Sequence, residues 1–399
     1  MFLYFPTNYM WSLAVLRCLA GGGLFGEIAW ACEGLHDAAR QEPSGDAEAW
    51  CAAWTKLARQ VAEVATEAAN AGKDVTAADA FYRASQYYQW AEAFLAPDDA
   101  RTTDLYARHL DTFANFAQLS SPQIEIIDIP FEGSSLKAYF VPAEGAQARS
   151  PAVVLSDGLD GTKEEMFLVA RALSRRGIAC LGVDNPGQGA TLRLSGLAAR
   201  YDSEKAAGAA IDYLETRREI DSDRIGVWAA SMGGYYAPRA AAMERRIKAC
   251  VAWGAIYDYH AVWARRINYR SGEPAQFAKG AALGTTGAHL LKIMGVDSWD
   301  AAMTKLEDFR LETVAPLIQC DILIVHGEAD RQTTVEEAQR LFAAIPEGRK
   351  ALWVVTKAEG GAAHVQLDRP EPTLSRIADW MSDRLSAAAQ GEGGASHAR

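Results

Sequence analysis

A serine hydroxyl attacks a carbonyl carbon only when a base takes its proton, so the first question is where serine, histidine and a carboxylate can be brought together. The segment RIGVWAASMGGYYAPRAAA runs an apolar stretch, 224–229, straight into Ala230, Ser231 and Met232, followed by Gly233, Gly234 and a helical pattern. That order puts Ser231 at a sharp strand-to-helix turn, with its hydroxyl projecting from the end of the strand. The pattern is A-x-S-x-G, with Ala229 standing where a nucleophile elbow has its first glycine. Alanine departs from the motif but is still small. The competing reading is a serine that only caps a helix; strand, turn, glycines and helix together favour the nucleophile.

Seven histidines are candidate bases: His36, His109, His260, His289, His326, His364 and His397. His364 fits best, because AEGGAAHVQLD is a glycine-rich loop after the last expected strand and can return an imidazole to the sheet edge. His326 reads as a buried strand-end group, His36 and His109 fall on N-terminal helices, and His260 and His289 fall where they can meet a substrate. Asp330, in HGEADRQT after the strand expected at 321–326, can orient that imidazole and stabilise its protonated form. Glu328 is its rival, Asp321 sits at the wrong end of the strand, and a helix-capping role for Asp330 is the plain alternative. The chain order Ser231, Asp330, His364 is the order that a strand–turn–helix serine site uses.

Negative charge developing on the attacked oxygen needs two aimed N–H groups. Met232, next to the serine, supplies one. The loop LSDGLDGTKEE supplies the other through Leu159, with Gly158 and Gly161 permitting the path or serving only as turn residues. Residues Asp184 to Gly189, DNPGQG, form another strand-end loop, read as a wall of the pocket. Neither a metal set nor a dinucleotide fingerprint is present in these loops, and the chemistry requires no cofactor.

Those groups need a scaffold. After Pro122, strands at 124–130 and 135–141 joined through Gly133 lead into alternating apolar runs and helices: 152–156, helix 163–176, 178–183, helix 202–217, 224–229, helix 232–244 and 248–253. The alternation resumes with 321–326, helix 334–344, 351–355 and helix 372–388. Continuous Val, Ile, Leu and Ala runs between helices predict an α/β fold with one mostly parallel sheet. Before it, residues 1–120 are helical. Trp50, Trp54, Leu57, Val61 and Val64 form one face behind an Asp46 cap, Phe81, Ala84, Tyr88, Ala91 and Leu95 form a second, and the glycines at 21–23 separate two early helices. The core is expected at 121–254 and 317–389, interrupted by an inserted helical cover at 255–316 that carries Tyr257, Tyr259, Trp263 and Tyr269. A flexible tail is expected at 390–399.

Composition excludes several function classes. The 399 residues carry a net charge of −11, which disfavours a nucleic-acid partner. The apolar N-terminus lacks an early basic region, is interrupted by Arg17 and has no membrane-length run, so a packed helix is expected, without a membrane anchor. Six cysteines, Cys18, Cys32, Cys51, Cys180, Cys250 and Cys320, have neither zinc-site pairing nor the density of a secreted scaffold, and fit free thiols in the cytoplasm.

The segments GGGLFGEI, GDAEAW and YRASQYYQWAEAFL near the N-terminus, and SDGLDGTKEE, DNPGQG, ASMGG, GEADRQT and GGAAH in the core, together resemble the FrsA-like, or DUF1100, α/β-hydrolases. More narrowly they resemble the branch holding 2,6-dihydroxypseudooxynicotine hydrolase and the fungal pigment-pathway enzymes that shorten polyketides. The resemblance implies an α/β-hydrolase core with a helical N-terminal region folded over it, a homodimer, and the nucleophile, acid and base roles for Ser231, Asp330 and His364. It also implies a small carbonyl substrate, aromatic or polyketide-like, cleaved at a carbon–carbon bond beside a ketone or at an ester. Trp30, Tyr82, Tyr87, Trp90, Tyr257, His260 and Trp263 are the candidate substrate contacts. A serine esterase, thioesterase or amidase, an acyltransferase, and a noncatalytic binder of aromatic ligands are the other readings.

Overall fold

The computed structural model describes residues 1–41, 45–146, 149–267 and 284–391. Tyr269, His397 and the tail beyond 391 lie outside the described residues. The chain divides into two compact units, one of Met1–Ile126 with the described part of Phe277–Lys292, the other of Ile127–Gln276 and Ile293–Arg399 taken over their described residues.

The first unit is helical. Its helices are α1 (Tyr9–Ala20), α2 (Phe25–Cys32), α3 (Ala47–Asn70), α4 (Asp74–Glu92) and α5 (Ala100–Leu119). Asp46 caps α3 by accepting from the Glu48 and Ala49 amides, satisfying two donors that the helix leaves orphaned. Trp50, Trp54, Leu57 and Val61 are buried, whereas Val64 is half exposed and Ala65 takes the inner position, the drift that 3.6 residues per turn imposes. Helix α4 is buried on nearly every side, as a helix ringed by others must be. Trp50 is the centre: its ring lies 4.8 Å from Trp11, 4.8 Å from Trp54 and 4.9 Å from Phe94. Its Nε1 donates to the Trp90 carbonyl at 2.7 Å, so burying the indole leaves no unmet donor.

The second unit is built on one eight-stranded sheet in the order β1-β2-β4-β3-β5-β6-β7-β8. Strands β1 (Glu125–Phe131) and β2 (Ser134–Val141) form a hairpin. Its two turn residues, Glu132 and Gly133, have φ of 46° and 81°, the left-handed pair that matches strand twist in a two-residue turn. Strand β3 (Ser150–Ser156) is followed by α6 (Phe167–Ser174), β4 (Ala179–Val183), α7 (Gly189–Ser195), α8 (Glu204–Glu215), β5 (Ile220–Ala230), α9 (Gly233–Met243) and β6 (Ile247–Trp253). The insertion holds α10 (Tyr259–Arg266), α11 (Gly284–Met294), most of which belongs to the helical unit, and α12 (Trp299–Leu306). Then come β7 (Asp321–Gly327), α13 (Val335–Ala344), β8 (Lys350–Val355) and α14 (Pro370–Gly391).

Strand β2 runs antiparallel to β4, and the pairs from β4 through β8 are parallel. The middle strands are buried along their length because helices cover both faces, α6 with α14 and α8 with α9. Parallel order brings every strand's carboxyl end to one edge, so the loops after β3, β4, β5, β6, β7 and β8 meet there. Two details depart from the periodicity. The helix expected at 163–176 opens as a short 3-10 turn, Lys163–Met166, before α6, and the Lys163 amide at its start donates to Asp184. The DNPGQG loop continues into α7, too short for a period to register.

Candidate active site

The site assembles at that edge. Strand β5 ends at Ala230 and α9 starts at Gly233, so the turn has two residues in which to reverse direction. Ser231 takes φ of 58° to do it, a left-handed conformation that costs a residue with a Cβ about 1–3 kcal/mol. Its amide is held by the Trp253 carbonyl at 2.8 Å, and its own carbonyl accepts from Gly234 at 2.7 Å. The glycines are required by contact. A Cβ on Gly233 would lie 2.5 Å from the Ala229 Cβ, and one on Gly234 would lie 2.5 Å from the Gly254 carbonyl oxygen. Alanine is therefore tolerated at 229 because its methyl faces a glycine at 233.

His364 follows β8 in a loop held in an unusual path: Val365 and Gln366 have φ of 42° and 52°. The buried Gln366 side chain accepts a hydrogen bond from Trp253 Nε1, and Ala363 N–H donates to Asp368 at 3.0 Å. The Ala329 amide donates to the Ala362 carbonyl at 2.9 Å, joining the two loops that carry the acid and the imidazole. Gly327 makes that approach possible, since a Cβ there would sit 2.3 Å from the Ala362 oxygen.

Three of the residues singled out from the sequence form a continuous chain. His364 Nε2 lies 2.9 Å from Ser231 Oγ, and His364 Nδ1 lies 2.7 Å from Asp330 Oδ2. Asp330 is aimed by its own loop: Oδ1 accepts from the Gln332 and Thr333 amides at 2.7 and 3.1 Å, and Oδ2 from the Thr333 hydroxyl at 3.2 Å. Burial works against ionisation of Asp330. The His364 charge and hydrogen bond, the His326 charge and the Thr333 amide outweigh it and hold the carboxyl below its ordinary range. His326 lies fully buried near the same carboxylate oxygen, Nε2 3.5 Å from Oδ2 and 3.0 Å from the Thr333 carbonyl. Burial presses its pKa down, against the pull of Asp330. The rival acid Glu328 is exposed and accepts from the Lys357 amide instead.

Facing the serine is the loop after β3. A Cβ on Gly158 would lie 2.8 Å from Ser231 Cβ and 3.1 Å from Oγ, so backbone passes directly over the hydroxyl. Leu159 is buried in this loop, and Met232 is buried at the start of α9, where the first amides of a helix have no intrahelical acceptor. Beneath the loop lies a buried ionic cluster. Lys163 Nζ contacts Glu164 at 2.7 Å and Asp184 at 3.0 Å.

The aromatic candidates are dispersed. Trp30 is exposed on α2 with Lys56 Nζ 4.8 Å from its ring. Tyr82 is buried and donates to the Gly21 carbonyl at 2.6 Å, and Trp90 is buried under Arg17. Tyr87 donates to Glu27 at 2.5 Å. In the second unit Trp263 is fully buried against Tyr259, Trp299 and Arg266. Tyr257 and His260 are half-buried at the start of α10, where Glu337 accepts from the Tyr257 and Asp258 amides at 3.0 and 2.9 Å. Sequence reasoning singled out neither Gln366, which braces the imidazole loop, nor the individual part played by Gln188 in DNPGQG. Gln188 offered only the signal of a polar residue between two glycines in a strand-end loop, and Gln366, between Val365 and Leu367, offered none.

The sheet order, the left-handed serine and the hydrogen-bonded imidazole and carboxylate at its edge define an α/β-hydrolase. Residues 44–268 match the family model described as esterase FrsA-like, and the chain belongs to that family. Residues 201–387 also match the prolyl oligopeptidase family. Among curated proteins the chain is 29% identical to hydrolase acrC of Aspergillus aculeatus, over 96% of this chain and 98% of that protein. It is 28% identical to the α/β hydrolase xenA of Xenoacremonium sinensis, over 90% and 92%. Among solved structures it resembles 2,6-dihydroxy-pseudo-oxynicotine hydrolase with a TM-score of 0.78 and 25% identity, covering 94% of this chain and 96% of that one. Among the described residues no helix is long and apolar enough to cross a membrane.

Proposed function

We propose that this enzyme hydrolyses an activated carbonyl compound through Ser231, and that its preferred bond is a carbon–carbon bond beside an aromatic or polyketide-like ketone. The observation that carries the reading is the chain Ser231 Oγ, His364 and Asp330, with separations of 2.9 and 2.7 Å. His364 Nε2 accepts the hydroxyl proton as Oγ bonds to the carbonyl carbon, and Asp330 accepts the hydrogen bond from Nδ1–H of the resulting imidazolium. The carbonyl π electrons move to oxygen, where the Met232 and Leu159 amides meet the charge. Collapse expels the leaving group with the bonding pair, and the imidazolium returns the proton to it. Water then gives a proton to His364, attacks the acyl carbon and releases the acid and free serine.

Carbon–carbon cleavage asks more of the leaving group than an ester does, because the departing carbon must carry the electron pair until it is protonated. A hydroxylated ring beside the ketone can take that charge. Support comes from the family resemblance and from likeness, over nearly the whole chain, to a protein named as the hydrolase of 2,6-dihydroxy-pseudo-oxynicotine. Ester hydrolysis is the second reading, favoured by the family description itself. Of the aromatic candidates in the second unit, Tyr257 and His260 retain exposed surface to offer a ligand, whereas Trp263 is fully buried. The six cysteines are all buried, in keeping with the proposed reducing cytoplasm, and the family resemblance adds a homodimer, which light scattering after size exclusion checks.

Product analysis on matched aryl ketones and aryl esters separates the two bonds. Cleavage of a dihydroxyaryl ketone to the free arene and the acid is expected. Rapid ester turnover with the ketone untouched would overturn the carbon–carbon reading and leave an esterase.

A further inference from the structure

Gln188 is 2% exposed, at the N-terminus of α7, and all of its side-chain amide is committed. Nε2 donates to the Asp157 carbonyl at 2.6 Å and to the Gly158 carbonyl at 2.5 Å, while Oε1 accepts from the Asn185 amide at 3.0 Å. Two carbonyls on one side and an N–H on the other fix which end of the amide is nitrogen. In a trans peptide the N–H points opposite to the C=O. The Asp157 carbonyl shares a peptide with the Gly158 N–H, and the Gly158 carbonyl shares one with the Leu159 N–H. By holding both carbonyls, Gln188 turns both N–H groups away from itself. The Gly158 N–H is taken by Asp157 Oδ1 at 2.7 Å, so the Leu159 N–H is the group this arrangement presents. The same stretch lies against Ser231, as the close approach of Gly158 shows.

The other end of the loop is held from the same side. Asp184, at the end of β4, accepts from the Lys163 amide at 2.7 Å, from Lys163 Nζ at 3.0 Å and from the Ala190 amide at 2.8 Å. The loop 184–189 therefore grips the loop 157–163 at both ends.

We propose that Gln188 is a positioning residue that aims the Leu159 N–H at the oxygen of the carbonyl under attack by Ser231. This deepens the serine-hydrolase reading and rests on it. Leucine at 188 keeps the bulk and removes both donors, freeing the Asp157 and Gly158 carbonyls to rotate. Asparagine keeps the donors one methylene short.

The test compares wild type, Gln188→Leu and Gln188→Asn in three measurements: steady-state turnover of an activated aryl ester, the inhibition constant of a phenylboronic acid, and labelling of Ser231 by a fluorophosphonate. Boronate mimics the tetrahedral adduct and places an oxygen at the anion site. The leucine variant is expected to lose about ten- to a hundredfold in kcat with KM within about threefold. Boronate affinity should fall by a similar factor, and asparagine should lose less in both. Unchanged kcat and boronate affinity in both variants, or a loss confined to KM, would overturn the proposal. The underlying reading fails separately, if wild type is not labelled at Ser231 and Ser231→Ala retains turnover.

Discussion

The helical unit and the edge of the sheet are held together by opposite means. Around Trp50, order comes from apolar contact: four aromatic rings and one indole hydrogen bond surround a fully buried side chain. Around Ser231 the backbone itself carries the strain. Ser231, Val365 and Gln366 all sit at positive φ, two histidines approach one buried carboxylate, and Gly233, Gly234 and Gly327 stand where a Cβ would collide. The first region is optimised for stability; the second gives up stability for geometry. Substitutions should therefore separate the two properties, with activity lost at the edge and stability lost among the helices.

The largest expected effect is Ser231→Ala, which removes the proposed nucleophile and should lower kcat by at least about a thousandfold, as loss of such a residue does elsewhere. Circular dichroism and the melting temperature should stay at wild-type values. Asp330→Asn follows, with a loss of about a thousandfold or more, because the amide favours the wrong imidazole tautomer. It also has a signature in acid. Asp330 is held below its ordinary range, so its ionisation stabilises the fold above the unfolded carboxylate value of about 4 and that contribution is lost as pH falls through the folded value. Melting temperatures at pH 7 and pH 3 should accordingly differ less in Asp330→Asn than in wild type.

Trp50→Ala tests the other region and should cost about 3–5 kcal/mol in the unfolding of the helical unit, the usual range for a buried aromatic. Denaturant titration followed by hydrogen exchange at α3 and α4 measures it. The smallest effect carries the sharpest contrast. Ser231→Gly, by relieving a left-handed serine, should raise stability by up to about 1 kcal/mol while abolishing turnover. A loss of stability there would show that Ser231 is not strained in its turn.

The same contrast explains what the sequence made legible. Short continuous apolar runs located the strands of the parallel sheet, and recurring apolar faces the helices around Trp50, because burial leaves its mark on the local sequence. The A-x-S-x-G turn and the order Ser231, Asp330, His364 were readable because their neighbours are small and the loops fall at strand ends. Gln188 and Gln366 were not, because Gln188 meets backbone atoms of a distant loop and Gln366 a distant indole, and no local pattern records which carbonyl or indole a glutamine will meet. Nor did any local pattern record that the Lys163 amide, at the start of the turn 163–166, donates to Asp184, 21 positions further on.

The most direct test of the account is fluorophosphonate labelling of the wild-type enzyme, mapped by mass spectrometry. The account predicts one adduct per chain, on Ser231, forming much more slowly in His364→Ala and absent in Ser231→Ala. An active enzyme that takes the label at another residue, or that stays unlabelled at Ser231 while hydrolysing its substrate, would contradict it.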